Sequence, residues 1–266
     1  MGCSESKFNA PPSQSLPKPP RRPEPVEEPK KPVGEEPRKS PGEQSKFDEE
    51  TTRLVEHLKK FPHRYSDIVG QADRPAMGNL EKSKFSGIFL NQRRKKYWID
   101  EKSGCNCFML FARDLSITWS DDPRYWKWCA LQETSDVCVE VAALLRVCWL
   151  DIYGRFEISH LTPGITYEVA FVVMMQYTSD GWNTPVNLRL TDPEGNQQKH
   201  LESLIDKPRG EWIELIVGEL KATAASAGEI AISLFEHDDG AWKSGLIVKG
   251  IFIRPKTFWR KSIHVS

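Results

Sequence analysis

The sequence predicts an all-β protein, an antiparallel β-sandwich of jelly-roll type that is preceded by a disordered, proline-rich N-terminal segment. Two observations support this. Of the 19 prolines in the chain, 11 fall within residues 9–50, whereas all nine tryptophans lie from Trp98 onward. In that later part the apolar residues recur with a period of two, which is typical of strands that bury one face.

The N-terminal residues predict an attachment signal followed by a linker. Residues 1–8 begin Met-Gly-Cys-Ser-Glu-Ser, which fits N-myristoylation at Gly2 with Cys3 placed for palmitoylation. Residues 9–46 mix proline with both signs of charge and cannot bury enough apolar surface to offset the entropy lost on ordering. We interpret them as a flexible linker, although residues 16–22 also fit the proline-rich ligand of an aromatic groove.

Residues 47–80 predict a short helix and a connection. Apolar residues at 54, 55 and 58, preceded by acidic and followed by basic side chains, predict a helix over 47–62 that ends at Pro62. The stretch 51–96 carries a net charge of +7. Three readings stay open for its basic residues: attraction to an anionic membrane surface, a nuclear signal, or a solvated loop.

Residues 81–266 predict the sandwich domain. A short strand is predicted over 87–90, and turn residues separate eight further strands, over 107–112, 137–145, 147–152, 167–175, 186–190, 212–217, 229–235 and 246–253. Alternation predicts that Val186, Leu188 and Leu190 point inward while Asn187 and Arg189 point outward. Trp149 lies within an apolar strand pattern and is therefore predicted to be a core residue.

Composition and motifs exclude several classes of function. The folded part is acidic, which argues against a nucleic-acid binder. No apolar run is long enough for a membrane-spanning helix, and no signal peptide is recognised, so we expect a cytoplasmic location with reduced cysteines. The spacing of the six cysteines predicts no metal site, and no cofactor is predicted. Because no catalytic motif occurs, the chain is predicted not to be an enzyme.

A binding function is better supported. Residues 115–128 read Leu-Ser-Ile-Thr-Trp-Ser-Asp-Asp-Pro-Arg-Tyr-Trp-Lys-Trp, which places three tryptophans and a tyrosine around an Asp-Asp-Pro turn. Exposed indole rings with polar neighbours would suit a sugar ring or a peptide. The alternative for each tryptophan is a place in the core.

The order of motifs resembles that of the plant phloem protein 2 lectins and the related tobacco-agglutinin lectins. The matching segments are 97–100 (Tyr-Trp-Ile-Asp), 107–119, 125–126, 147–152, 161–164, 181–188 (Gly-Trp-Asn-Thr-Pro-Val-Asn-Leu), 212–214, 217–219, 227–230, 236–237, 242–245 (Trp-Lys-Ser-Gly) and 248–255. The resemblance implies a carbohydrate-binding module without catalytic activity, whose ligands are N-acetylglucosamine oligomers and the cores of the N-linked glycans of N-glycosylated proteins. It leaves open whether two copies form a homodimer.

The resemblance also implies sugar-binding residues, which fall on Trp119, Trp126, Glu229 and Glu236. On one unbroken strand the two glutamates have opposite parity, so both reach one sugar only if the strand ends or bulges before Glu236. If one alone contacts ligand, Glu236 is favoured.

These observations together predict a cytoplasmic lectin that is held at a membrane surface by acyl groups on Gly2 and Cys3. A nuclear location is left open as an alternative. The alternative is a membrane-anchored adaptor whose sandwich binds protein rather than sugar.

Overall fold

The computed structural model describes residues 62–73 and 85–256, which contain thirteen strands and the short helix α1 (Tyr65–Val69). The all-β prediction is confirmed. None of the helices in this part of the chain has the length and apolar character needed to cross a membrane. The acylation motif, the predicted linker and all of the predicted helix except Pro62 lie outside the described residues.

The strands are mostly short and follow one another with few interruptions. They are β1 (Ile88–Leu90), β2 (Lys95–Ile99), β3 (Asn106–Phe111), β4 (Ser116–Ile117), β5 (Trp126–Gln132), β6 (Cys138–Leu144), β7 (Leu150–Glu157), β8 (Thr166–Asp180), β9 (Val186–Thr191), β10 (Gln197–Glu202), β11 (Trp212–Lys221), β12 (Glu229–Glu236) and β13 (Ser244–Pro255). Single turns of 3₁₀ helix lie at Ala112–Asp114 and Ile158–His160.

The strands form two antiparallel sheets. In the eight-stranded sheet, β13 is central: β8 pairs along one side of it and β11 pairs with β8, while β3 and β6 share the other side. β2 and β1 extend the sheet beyond β3, and β5 extends it beyond β6. The five-stranded sheet has the order β10-β9-β12-β7-β4.

The inner faces of the two sheets bury a common hydrophobic core. Val169 and Ile251 from the larger sheet and Ile152 and Ile232 from the smaller one are completely buried in it. Gly154 shows how closely the sheets approach, because a Cβ atom there would lie 2.5 Å from the Cδ1 of Ile251. Such packing is typical of a sandwich, in which interdigitating side chains fill the space between the sheets.

Most of the predicted strands are found within a few residues of their predicted limits. The inward orientation of Val186, Leu188 and Leu190 is confirmed, since all three are buried while the residues between them are only partly so. Four strands were not predicted, namely β2, β4, β5 and β10. β2 begins in a basic run and β10 is polar and exposed, so neither shows the apolar alternation by which strands are recognised.

The register of the smaller sheet determines which loops meet. Ile117 at the end of β4 pairs with Ile152 near the start of β7, and Leu150 in turn pairs with Glu236 at the end of β12. The loops after β4, before β7 and after β12 therefore lie together at one end of the strands of this sheet. Residue 229, the first of β12, lies at the opposite end of the strands.

Candidate functional site

Three loops that carry exposed tryptophans meet at one end of the sandwich. We call this region the tryptophan end; it consists of residues 118–125, 145–149 and 237–243. Trp119, Trp149 and Trp242 belong to these loops and are 46%, 45% and 48% exposed. Large apolar side chains normally lose such exposure on folding, so three of them on adjoining loops indicate a binding surface.

Each exposed indole is supported by a neighbouring side chain. The ring of Trp149 stacks on His237, with centroids 4.1 Å apart and an angle of 13° between the planes. The guanidinium carbon of Arg146 lies 4.5 Å from the ring centroid of Trp242, and the rings of Trp119 and Tyr125 are 5.2 Å apart. The supported rings present flat apolar faces to solvent, which suits the C–H face of a sugar ring.

Trp119 has an unusual backbone conformation. Its φ angle is 61°, in the left-handed region that a bulky side chain seldom adopts. It lines an open hollow of about 570 Å³ together with Ile117 and residues 120–123. Strained backbone of this kind persists where the surroundings determine it strongly, and it is concentrated at functional sites.

Trp126 is a candidate for direct contact with sugar, but the structure places it in the core, which is the alternative left open for each tryptophan. As the first residue of β5 it faces the core, pairs with Leu144 and is only 2% exposed. Its indole N–H donates to the carbonyl oxygen of Thr118 at 3.1 Å, and Trp128 donates in the same way to Ser120 at 3.0 Å. These two bonds hold the carbonyl groups of the residues immediately before and after Trp119, so Trp126 positions the exposed ring of Trp119 and is itself buried.

Trp149 was predicted to lie in the core, and this prediction is also wrong. Val147 forms an isolated bridge with Lys243, after which residues 148 and 149 bend, and β7 begins only at Leu150. The bend takes the ring of Trp149 out of the inward-facing series. The apolar pattern of 147–152 concealed this break in the strand.

Glu236 is buried at the base of the tryptophan end. Its Oε1 accepts hydrogen bonds from the backbone N–H groups of Asp238 at 2.9 Å and Asp239 at 3.2 Å. Its other carboxylate oxygen pairs with the ammonium group of Lys243, and both side chains are almost wholly buried. Lys243 Nζ also donates to Asp239 Oδ1 at 2.8 Å and to the carbonyl oxygen of Ala241 at 3.0 Å.

The charges of this network favour its ionised form. Burial acts to lower the pKa of Lys243, but the hydrogen bonds and charges of Asp239 and Glu236 outweigh it, so that the pKa is raised. Burial acts to raise the pKa of Asp239, but bonds from Lys243, Thr184 and the backbone of Ala241 hold this pKa well below its ordinary value. An ion pair with this many additional hydrogen bonds holds its loop in one conformation.

Lys243 also links two loops of the tryptophan end. Its backbone N–H donates to the carbonyl oxygen of Val147 at 2.7 Å, and its carbonyl oxygen accepts from the N–H of Val147 at 2.9 Å. The loop of Trp149 is thereby joined to the loop of His237 and Trp242. Glu236 thus acts on the surface through Lys243, without being exposed itself.

Glu229 lies away from the other candidate residues. It is exposed, and its Oε2 is 3.6 Å from Arg155 Nη1. β12 pairs with β7 in continuous register from Glu229 to Glu236. Seven residues at about 3.3 Å each separate the backbones of the two glutamates by about 23 Å. The structure therefore brings Trp119, Trp126 and Glu236 to one end of the sandwich and places Glu229 at the other.

Trp149, Trp242 and His237 were not identified as candidates from the sequence. For Trp242 and His237 a signal exists, because they flank the turn Asp-Asp-Gly at 238–240, as Trp119 and Trp126 flank Asp-Asp-Pro. Five cysteines are described, at positions 105, 107, 129, 138 and 148, and all five are free.

Comparison with known proteins gives a consistent result. The family model of phloem protein 2 matches residues 105–255. The protein PHLOEM PROTEIN 2-LIKE A1 of Arabidopsis thaliana is 47% identical over 203 residues, which cover 74% of this chain and 82% of that protein. A lectin of Luffa acutangula is 48% identical over 172 residues, covering 64% and 81%.

Among solved structures, the CBM22-1 xylan-binding domain of Paenibacillus barcinonensis Xyn10C is 12% identical, with 55% of this chain and 87% of that domain covered and a TM-score of 0.32. A likeness this limited says nothing about the ligand of this chain.

Proposed function

The chain belongs to the phloem protein 2 family, and from this premise we propose that it is a lectin for N-acetylglucosamine oligomers and N-glycan cores. The observation that supports the proposal most is the group of three exposed tryptophans on adjoining loops. The lectin of Luffa acutangula, nearly half of whose matched residues are identical, gives the carbohydrate-binding function independent support. Membership of the family also agrees with the prediction that the chain is not an enzyme.

The surface offers both kinds of contact that a sugar needs. The faces of Trp119, Trp149 and Trp242 would pack against C–H groups, and each is already held in place by a neighbouring side chain, so little side-chain entropy is lost on binding. Exposed polar side chains at Asp121 and Asp238 lie on the same loops and could accept hydrogen bonds from hydroxyl or acetamido groups. An oligomer is favoured over a single sugar because three separate rings are presented.

The direct test is a calorimetric titration of the full chain with tri-N-acetylchitotriose. Trp149→Ala is expected to weaken binding about fivefold or more, the effect of losing one aromatic platform worth about 1 kcal/mol. Glu229→Gln is the matched control, since it changes a polar residue at the opposite end of the sandwich, and it is expected to leave the affinity within about twofold.

Wild-type protein that binds neither this trisaccharide nor any glycan of an array would exclude the lectin function. The adaptor alternative, in which the sandwich binds a protein, would then be preferred. Equal losses in Trp149→Ala and Glu229→Gln would place the site elsewhere on the domain.

The proposal includes a membrane tether in the cytoplasm. It is supported by the sequence Met1-Gly-Cys-Ser-Glu-Ser, in which Gly2 is the acceptor for myristate and Cys3 a site for palmitate. Because one acyl chain binds a membrane weakly and reversibly, stable attachment needs both.

A graded series in membrane fractionation is therefore expected. Wild-type protein should sediment with membranes, and Cys3→Ser, which keeps only myristate, should be mostly released. Gly2→Ala should be fully soluble, because it cannot be myristoylated and does not stay at the membrane where Cys3 would be palmitoylated. Glycan binding by Gly2→Ala should equal that of wild type. If Gly2→Ala stays on membranes to the wild-type extent, the tether is not acylation at this motif.

A further inference from the structure

The outer face of the smaller sheet carries a strip of aromatic and basic side chains. Lys199 on β10 pairs with Arg189 on β9, Arg189 pairs with Ser233 on β12, and Ser233 pairs with Tyr153 on β7, so the four residues form one row across the sheet. Phe235 lies next to this row on β12. We call Lys199, Arg189, Phe235 and Tyr153 the basic strip.

The basic strip is continuous with the tryptophan end. The ring of Trp149 stacks on His237 at 4.1 Å, and the ring of His237 stacks in turn on Phe235 at 5.5 Å with an angle of 23°. Three nearly parallel rings thus lead from the exposed indole onto the outer face of the sheet. A ligand bound at Trp149 and long enough to extend past His237 would reach Phe235.

Two cations of the strip are held in place without a carboxylate partner. The guanidinium carbon of Arg189 lies 4.9 Å and the ammonium group of Lys199 lies 5.5 Å from the centroid of Phe235, on which both rest through cation–π contacts. In the described part of the chain, neither forms an ion pair. Arg155, the next cation on the face, differs because it is paired with Glu229.

The acidic groups of this face do not neutralise the pair. Asp151 is opposite Phe235 on β7, and the strand β12 separates it from Arg189 on β9. Asp238, at the loop, is 3.3 Å from His237 Nδ1. Two positioned cations over one aromatic ring therefore remain available to an anion, and a guanidinium group is well suited to a carboxylate or a sulfate.

We propose that the basic strip is a second subsite, which binds an anionic group, carboxylate or sulfate, on a glycan whose neutral part occupies the tryptophan end. The inference rests on the lectin function proposed above. It adds that the preferred glycans are those that carry an acidic group. Arg189 and Lys199 pair with the charge of the acidic sugar, while the ring of Phe235 holds both cations in place.

The test compares three ligands on the full chain: tri-N-acetylchitotriose, its 6-O-sulfated form, and a hyaluronan tetrasaccharide in which N-acetylglucosamine alternates with a carboxylate-bearing sugar. Wild type is expected to bind at least one acidic ligand about fivefold or more tightly than the neutral one. The preference should decrease when sodium chloride is raised from about 50 to about 500 mM, because salt screens exposed charges. The two acidic ligands distinguish sulfate from carboxylate.

The double variant Arg189→Gln/Lys199→Gln should lose most of this preference while its affinity for the neutral trisaccharide stays within about twofold of wild type. Lys221→Gln is the matched control, because Lys221 is an exposed lysine at the end of β11 in the other sheet; it should keep the preference. Arg189→Lys in place of Gln should restore part of it.

Two results would overturn the inference while leaving the lectin function intact. In the first, wild type binds neutral and acidic oligomers equally. In the second, the double variant loses neutral and acidic ligands in the same proportion, which would show that the cations support the surface rather than bind the anion. Failure of all three ligands would instead exclude the proposed function and, with it, the subsite.

Discussion

Replacement of Lys243 by methionine is expected to lower the free energy of unfolding by about 3–5 kcal/mol, the usual cost of leaving a buried charge without its partner. Lys243 is fully buried, and its ammonium group is the positive centre for both Glu236 and Asp239. Methionine has a similar length and removes only the charge and the hydrogen bonds. Chemical denaturation of the two proteins measures the difference.

The pH dependence gives this prediction a second readout. The pKa of Asp239 is lowered in the folded protein, so the stabilisation it contributes is present above its unfolded pKa and is lost as pH falls. The pKa of Lys243 is raised, so its contribution is lost only at strongly alkaline pH. The difference in stability between wild type and Lys243→Met should therefore be largest near neutral pH and should decrease under acid conditions.

Lys249→Met is the matched control. Lys249 Nζ is 2.7 Å from Glu133 Oε2, but Glu133 Oε1 also lies 3.5 Å from Lys96 Nζ, so the remaining carboxylate keeps a charged partner. This variant should lose about 1 kcal/mol or less. Equal losses in the two variants would mean that the Lys243 network contributes no more than an ordinary surface ion pair.

The second large effect is expected for Trp126→Ala, which should also destabilise the fold by about 3–5 kcal/mol, because a buried indole leaves a cavity. Trp126 is 2% exposed and belongs to the common core. The same substitution removes the hydrogen bond to Thr118, so the loop of Trp119 should lose its conformation and glycan affinity should fall as well.

Trp149→Ala provides the contrast. Because this ring is 45% exposed, its removal should change the free energy of unfolding by about 1 kcal/mol or less while weakening glycan binding. Thermal unfolding and calorimetric titration of both variants separate the two roles. If Trp149→Ala destabilises the protein more than Trp126→Ala does, the assignment of core and surface made from the structure is reversed.

The exchange of roles between these two tryptophans shows what the sequence can predict. Period-two alternation correctly predicts which side chains of β9 are buried, because that strand is regular from end to end. It cannot show where a strand begins. The bend at residues 148–149 depends on pairing with Lys243, far along the chain, and the inward start of β5 at Trp126 depends on pairing with Leu144 on the next strand.

The two glutamates illustrate the same limit. Their separation could be predicted, since seven residues of continuous strand place them at opposite ends whatever the tertiary fold. The burial of Glu236 could not, because it depends on Lys243, which reaches the carboxylate only when the loop 237–243 folds back over it. Resemblance to relatives supplies candidate residues, and the structure shows which of them are exposed and which are buried beneath the surface.

The central claim is that the glycan binds at the tryptophan end, and nuclear magnetic resonance of the indole groups tests it most directly. In a protein with labelled tryptophan, addition of tri-N-acetylchitotriose should shift the indole resonances of Trp119, Trp149 and Trp242, whereas that of Trp182, which is buried and bonded to the carbonyl oxygen of Ser244, should not move. Each resonance is assigned from a Trp→Phe variant. Shifts confined to Trp98 and Trp212, on strands of the larger sheet, would contradict a site at the tryptophan end.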